Sequence, residues 1–179
     1  GERVPVCEEE GLALSFDTPS GKIELHSKTL ADLGHPAMPE FVPPEEPPPG
    51  SFRLLFGRSP VHTFGRTTNN RFLSEVTSTN ELWLNRRAAD ELGLVDGEKV
   101  VVVNQDDVRS EPLALKSTQR IRSDCVFMVH GYGPDAPGLR FARGRGANDT
   151  RLVTRVKTDP LMGGTGMNVN FVRVEKVPS

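Results

Sequence analysis

Three stretches of this 179-residue chain gather the residue types that hold phosphates and polar rings. The first, Gly57-Arg58-Ser59-Pro60-Val61-His62-Thr63-Phe64-Gly65-Arg66-Thr67, offers a glycine for close backbone approach, two guanidinium groups, an imidazole and three hydroxyls. Arginine gives planar, bidentate contact to phosphate oxygens, and hydroxyls and backbone N–H groups complete such a cradle. The second stretch is His130-Gly131-Tyr132-Gly133-Pro134. The third runs from Arg140-Phe141-Ala142-Arg143-Gly144-Arg145-Gly146-Ala147-Asn148-Asp149 on to Asp159-Pro160-Leu161-Met162-Gly163-Gly164-Thr165-Gly166. Its Asn and Asp side chains can present amide and carboxylate edges to a heterocycle.

Other chemistries fail on spacing. No Gly-Lys-Ser/Thr follows Gly163-Gly164-Thr165-Gly166, so it is not a P-loop, and it is not a dinucleotide GxGxxG. Cys7 and Cys125 are the only cysteines, so this chain alone cannot build an iron–sulfur or structural zinc cage. So distant a pair is expected to be two free thiols rather than a disulfide. Asp17-Thr18-Pro19 and Asp149-Thr150-Arg151 both lack the Asp-Thr/Ser-Gly of aspartic proteases. Gly50-Ser51 has the form of a self-cleaving bond, but Gly and Ser are common at the end of a proline-rich linker. No stretch approaches the roughly twenty apolar residues that span a bilayer, and no charged-then-apolar leader opens the chain. Neither a membrane span nor direct membrane contact is expected.

The net charge of −2 conceals an asymmetry. Residues 1–50 carry Arg3, Lys22 and Lys28 against ten acidic side chains, a net of −7. Residues 51–179 hold the other nineteen basic and fourteen acidic side chains, a net of +5, and fifteen of those nineteen are Arg. A basic, Arg-dominated domain suits phosphate or carboxylate ligands. An arginine-rich RNA binder would interleave aromatics with its basic stretch; only Phe141 lies within Arg140–Arg145, so nucleic acid is not an expected partner.

The elements that must position these stretches are short. Phe52–Phe56, Leu82–Leu84, Lys99–Val103, Glu111–Lys116, Val126–Val129 and Phe171–Lys176 read as strands, and each of the first two chemical stretches follows one directly. Asn85 is a good N-cap for a helix over Arg86–Leu92, with Ala88, Ala89 and Leu92 on one face and Gly93 at its end. Asp96-Gly97 is a tight turn. Roughly six short strands with one or two helices predict a mainly β fold, a closed or nearly closed barrel. Upstream, Ser15–Gly21 reads as a turn and Lys22–His26 as a short strand. Seven prolines between Pro36 and Pro49 enforce an extended path near polyproline II. The expected division is an N-terminal arm over 1–35, a Pro-rich linker over 36–50 and a barrel domain over 51–179.

The GR…HT loop, LWLNRRAADELGLVDGEKVVVV, FMVHGYG, GANDTRL, DPLMGG and a final FVRV strand stand in an order that resembles the C-terminal molybdopterin-guanine-dinucleotide-binding domain of the dimethyl sulfoxide reductase family. The closest branch is the polysulfide, thiosulfate and arsenate/tetrathionate reductase catalytic subunits. SFDTPSGKIELHS resembles the stretch that precedes the domain, so the likeness runs from about Phe16 onward. It implies a six-stranded double-psi β-barrel flanked by short helices. It also implies a molybdenum or tungsten atom held between two pyranopterin dithiolenes, each with a guanosine diphosphate tail. The positions that match the family's cofactor-binding motifs are Gly57, Arg58, Ser59, His62, Thr63, His130, Gly131, Asn148 and Asp149.

Family members carry the metal's protein ligand, and often a CxxCxxxC cluster, in an earlier part of the chain; neither motif is in this sequence. The resemblance therefore implies a piece of a larger oxidoreductase subunit that does not turn over substrate alone. Its partners would be the rest of the catalytic subunit, with iron–sulfur electron-transfer and membrane-anchor subunits. The alternative is a non-catalytic binding module: a small cofactor-carrying subunit, or the arginine-rich nucleic-acid binder considered above.

Overall fold

The structure is a computed structural model that describes residues 16–177. Residues 1–15, with Cys7 and Ser15, and residues 178–179 lie outside the described residues. The chain divides into two units, Gly1–Pro44 and Glu45–Ser179.

In the first unit the Gly21 N–H donates to Thr18 O (2.9 Å), closing the expected turn. Lys22–His26 is not a strand: Lys22, Leu25 and His26 form bends, and Ile23 and Leu25 are exposed. An extended segment persists only where another strand takes up its backbone groups, and among the described residues none lies beside this one. A short helix, α1 (Lys28–Asp32), follows instead, capped by the Ser27 hydroxyl, which accepts from the Leu30 N–H. The proline-rich residues beyond it form no regular structure.

The second unit contains a closed barrel. Its strands are β1 (Phe52–Gly57), β2 (Glu81–Asn85), β3 (Lys99–Asn104), β4 (Leu113–Thr118), β5 (Cys125–Val129) and β8 (Phe171–Lys176), in the order β1-β5-β2-β4-β3-β8. The pairs β1·β5 and β2·β4 are parallel and the other neighbours antiparallel, the double-psi arrangement. Side-chain alternation explains why these segments close: Leu54, Leu82, Leu84, Val100, Val102, Leu113, Leu115, Val126, Met128 and Val172 are almost wholly buried inside. Leu54→Ala should cost about 3 kcal/mol, the usual range for an aliphatic truncation in a closed core, read as a lower urea midpoint at unchanged slope.

β4 starts two residues later than its sequence pattern predicts, because Pro112 has no N–H for the ladder. Helix α3 (Arg86–Glu91) begins at its cap, with Asn85 Oδ1 accepting from the Arg87 N–H (3.0 Å), and buries Ala88 and Ala89. Leu92 caps the C-terminus and stays exposed; the chain reverses at Gly93 (φ +66) and returns Leu94 to the core in its place. Helix α2 (Arg71–Val76) and a small hairpin of β6 (Lys157–Thr158) and β7 (Thr165–Gly166) complete the unit. Cys125 is buried and free, and burial pushes its thiol up. Among the described residues no helix is long and apolar enough to cross a membrane.

Candidate functional site

β1 and β5 run parallel with Gly57 beside Val129, so the loops that leave them emerge together at one rim of the barrel. The third loop is fastened there by Asn80, a residue 2% exposed that precedes β2. Its Nδ2 donates to Val129 O (2.9 Å) and Ala147 O (3.0 Å), and its Oδ1 accepts from the Ala147 N–H (2.9 Å). Gly131 (φ +98) sits so close to the first loop that a Cβ would lie 2.5 Å from Gly65 N and 2.6 Å from the Phe64 carbonyl carbon. At Gly133 (φ +71) a Cβ would lie 2.5 Å from Asn148 N. The three chemical stretches are thus packed backbone against backbone. Phe64 itself is held at φ +50, a strained conformation for an aromatic residue.

Between them lies a cavity of about 240 Å³, lined by Gly57, Arg58, Phe64, His130, Asp149 and Thr150 together with the apolar Phe56, Val153 and Met167. The Arg58 guanidinium lies 4.7 Å from the Phe64 ring centroid, and the His130 ring meets the same phenyl edge-on at 5.3 Å. His130 Nδ1–H donates to Asp149 Oδ2 (2.7 Å). Asp149 is 2% exposed, and its other oxygen, Oδ1, has no hydrogen-bond partner among the described residues. A buried carboxylate oxygen left unpaired is costly, so it marks a place where an N–H donor belongs.

The remaining expected site residues shape the loops rather than line this cavity. Ser59 Oγ accepts from the N–H groups of Val61 (3.1 Å) and His62 (3.3 Å). His62 is turned inward and 5% exposed: Nε2–H donates to Thr77 O (2.7 Å) and Nδ1 accepts from the Thr67 hydroxyl (3.3 Å). The same Thr67 hydroxyl oxygen accepts from the Thr63 N–H (2.8 Å). His62 also meets Tyr132 edge-on, whose phenol burial pushes up in pKa, the Ser59 hydroxyl partly offsetting this. Asn148 Oδ1 accepts from the backbone N–H (3.0 Å) and hydroxyl (2.5 Å) of Thr150, opening the single helical turn Asp149–Leu152. Its own N–H donates to Glu111 Oε2 (3.0 Å).

Sequence reasoning misses three buried asparagines that hold this rim: Asn80, Asn104 and Asn170. Asn104 Nδ2 donates to Leu152 O (3.0 Å), and Asn170 Oδ1 accepts from the N–H groups of Thr154 (3.1 Å) and Arg155 (3.0 Å). The available signal was their position, each a lone Asn where an apolar strand begins or stops.

Among the described residues Arg58 and Arg66 on the first loop and Arg140, Arg143 and Arg145 on the third form no ion pair, and all five are exposed. Other arginines pair with carboxylates, on the flanks in Arg87–Glu91, Arg109–Glu175 and Arg173–Asp107 and near the rim in Arg151–Glu111, Arg151–Asp135 and Arg155–Asp106. Uncompensated guanidinium groups gathered at one rim make an anion-attracting surface. Among the described residues no three His, Cys, Asp or Glu side chains come together to hold a metal.

Residues 52–171 match the family model described as "Molydopterin dinucleotide binding domain". The chain is 32% identical over 157 residues to the thiosulfate reductase molybdopterin-containing subunit PhsA of Salmonella typhimurium, covering 86% of this chain and 20% of that protein. It is 30% identical over 189 residues to the dimethyl sulfoxide reductase DmsA of Escherichia coli, covering 94% of this chain and 22% of that one. Among solved structures it resembles acetylene hydratase from Pelobacter acetylenicus, with a TM-score of 0.67 at 21% identity over 92% of this chain and 24% of the other. The chain therefore spans about a fifth of the length of the curated relatives it matches. With a closed six-stranded barrel, ordered loops at one rim and a family match across that barrel, the chain belongs to the molybdopterin-dinucleotide-binding domains of the dimethyl sulfoxide reductase family.

Proposed function

We propose that Gly57, Arg58, His130 and Asp149 contact the pterin-guanine dinucleotide directly, while Ser59, His62, Thr63, Gly131 and Asn148 hold the loops in the binding shape. The observation that carries this is the unpaired Oδ1 of buried Asp149 at the wall of a cavity that also contains Arg58. Guanine and pterin share a 2-amino-4-oxopyrimidine edge, whose ring N–H and amino group are both donors. A carboxylate is the complement of that edge, and an unpaired guanidinium is the complement of the diphosphate. The donor set on the rim fits the group.

When bound, the cofactor would supply the molybdenum or tungsten atom at which substrate would be reduced or oxidised. The chain's own residues bind and orient: Asp149 takes the ring edge, the His130 N–H fixes that carboxylate, and Arg58 neutralises phosphate charge. In the whole protein this domain would serve the catalytic subunit of a reductase of small sulfur- or arsenic-type oxyanions. The metal's protein ligand, the substrate pocket and the electron relay would lie in the rest of that subunit, so this chain alone would be inactive. Residues 1–35 would be the tail of a preceding domain and 36–50 the linker to the barrel. Iron–sulfur and membrane-anchor subunits would be its electron-transfer partners.

Titration calorimetry with GDP and ADP tests the site. GDP should bind and ADP, which offers a ring-nitrogen acceptor in place of the N–H, should bind at least about tenfold more weakly. Asp149→Asn should weaken GDP about thirtyfold, the loss of a charge-assisted hydrogen bond worth about 2 kcal/mol, and should narrow the GDP/ADP difference. Equal affinities for the two nucleotides would refute the assignment of Asp149.

A further inference from the structure

Arg140, Arg143 and Arg145 stand on one turn of the third loop, and none of them lines the Asp149 cavity. All three are exposed and, among the described residues, form no ion pair. The turn beneath them is fastened by its backbone. The Arg143 N–H donates to Leu139 O (2.9 Å), the Gly144 N–H to Pro134 O (2.9 Å) and the Gly133 N–H to Arg145 O (2.9 Å). Asn69 Oδ1 accepts from the Phe141 N–H (2.9 Å) and so ties the turn to the start of α2, whose N-cap is the next residue, Asn70. That helix turns Ser74 inward, where its hydroxyl donates to Thr68 O (2.6 Å). Phe72 (73% exposed) and Val76 (70% exposed), four residues apart, are left together on its outer face. The helix's own cation, Arg71, is taken by Glu75 (3.3 Å). An exposed apolar pair beside unpaired arginines has the composition of a protein–protein interface. Single-stranded RNA would ask for further flat rings to stack on, and Val76 offers none.

We propose that α2 and the arginine turn form the surface on which this domain docks a segment of the rest of its catalytic subunit, one that sets apolar side chains among carboxylates. The proposal rests on the reading of this chain as one domain of such a subunit, and it adds which face meets the remainder. Two observations choose this occupant. The matched stretch makes up 20% of one relative and 22% of another, so a large remainder is available to cover the surface. Three guanidinium groups without carboxylates of their own are complements for carboxylates from outside, each able to take one with two hydrogen bonds.

Hydroxyl-radical footprinting of this chain and of the full-length subunit, with oxidation of Phe72 read by mass spectrometry, tests the surface. Phe72 should be oxidised in this chain and protected in the full-length subunit. Arg143→Glu combined with Arg145→Glu, both at exposed positions, should remove that protection and leave the urea midpoint of this chain where it was. Arg143→Lys keeps the charge and brings a primary amine, so a carbodiimide should join position 143 to an Asp or Glu outside these 179 residues. Equal oxidation of Phe72 in the two proteins would overturn the proposal. So would a cross-link that reaches only a second copy of this chain, or protection of Phe72 that appears only when RNA is added. A natural protein with no further domain would remove the underlying reading, and this proposal with it. GDP binding at Asp149 is read on this chain alone and stands or falls separately.

Discussion

Asn80→Ala should lower the stability of the barrel unit by about 4 kcal/mol, the sum expected when three buried backbone groups lose their partners. The side chain is 2% exposed and bonds Val129 O, Ala147 O and the Ala147 N–H. Alanine opens too small a space to admit enough water for all three. The loss of side-chain volume can be separated from the loss of these bonds by Asn80→Asp, which keeps the shape. Its carboxylate would still accept from the Ala147 N–H but would face two carbonyl oxygens that the amide now satisfies. At neutral pH it should therefore be as damaging as alanine. Urea unfolding of both variants is the check; an Asn80→Asp protein as stable as the parent would mean that the amide's donors are not what ties the second and third loops together.

Gly131→Ala should cost about 3 kcal/mol and lower the melting temperature by about 9 °C, because backbone strain and collision act at one residue. The φ of +98 is unfavourable for any L side chain, and the new methyl group would fall on the Phe64–Gly65 backbone. That backbone cannot yield without moving Phe64, which carries the contacts to Arg58 and His130. GDP affinity should drop with the stability. Gly144→Ala is the control: it also has a positive φ (+66), but open space surrounds it, so only the conformational cost of about 1 kcal/mol applies. If the two variants were equally destabilised, close loop packing would not be the reason for a glycine at 131.

Much of the barrel was legible in the sequence because its strands are short alternating runs bounded by turn residues. Helix α3 was legible because Asn85 and Gly93 mark both ends. Helix α2 was not: Phe72 and Val76 are exposed, and Ser74 is its buried residue, so no apolar stripe announces it. Composition picked out the three loops that meet at the rim, since Arg, His, Asn and Asp beside glycines stand out from scaffold. It could not assign roles within them. His62 and His130 look alike in sequence, yet one is enclosed by Thr67 and the Thr77 carbonyl while the other is half-exposed on a cavity. The partners of Asn80 lie 49 and 67 residues away, brought near only when the barrel closes, so its importance has no local signature.

The rim formed by these loops should hold the guanine-dinucleotide end of the cofactor. Amide and side-chain chemical-shift mapping of the full chain during GDP titration tests it most directly. The largest shifts should fall on Gly57, Arg58, His130 and Asp149, with smaller ones on Gly131 and Asn148 behind them. A folded protein whose shifts are absent, or scattered over the barrel's flanks away from these residues, would contradict it.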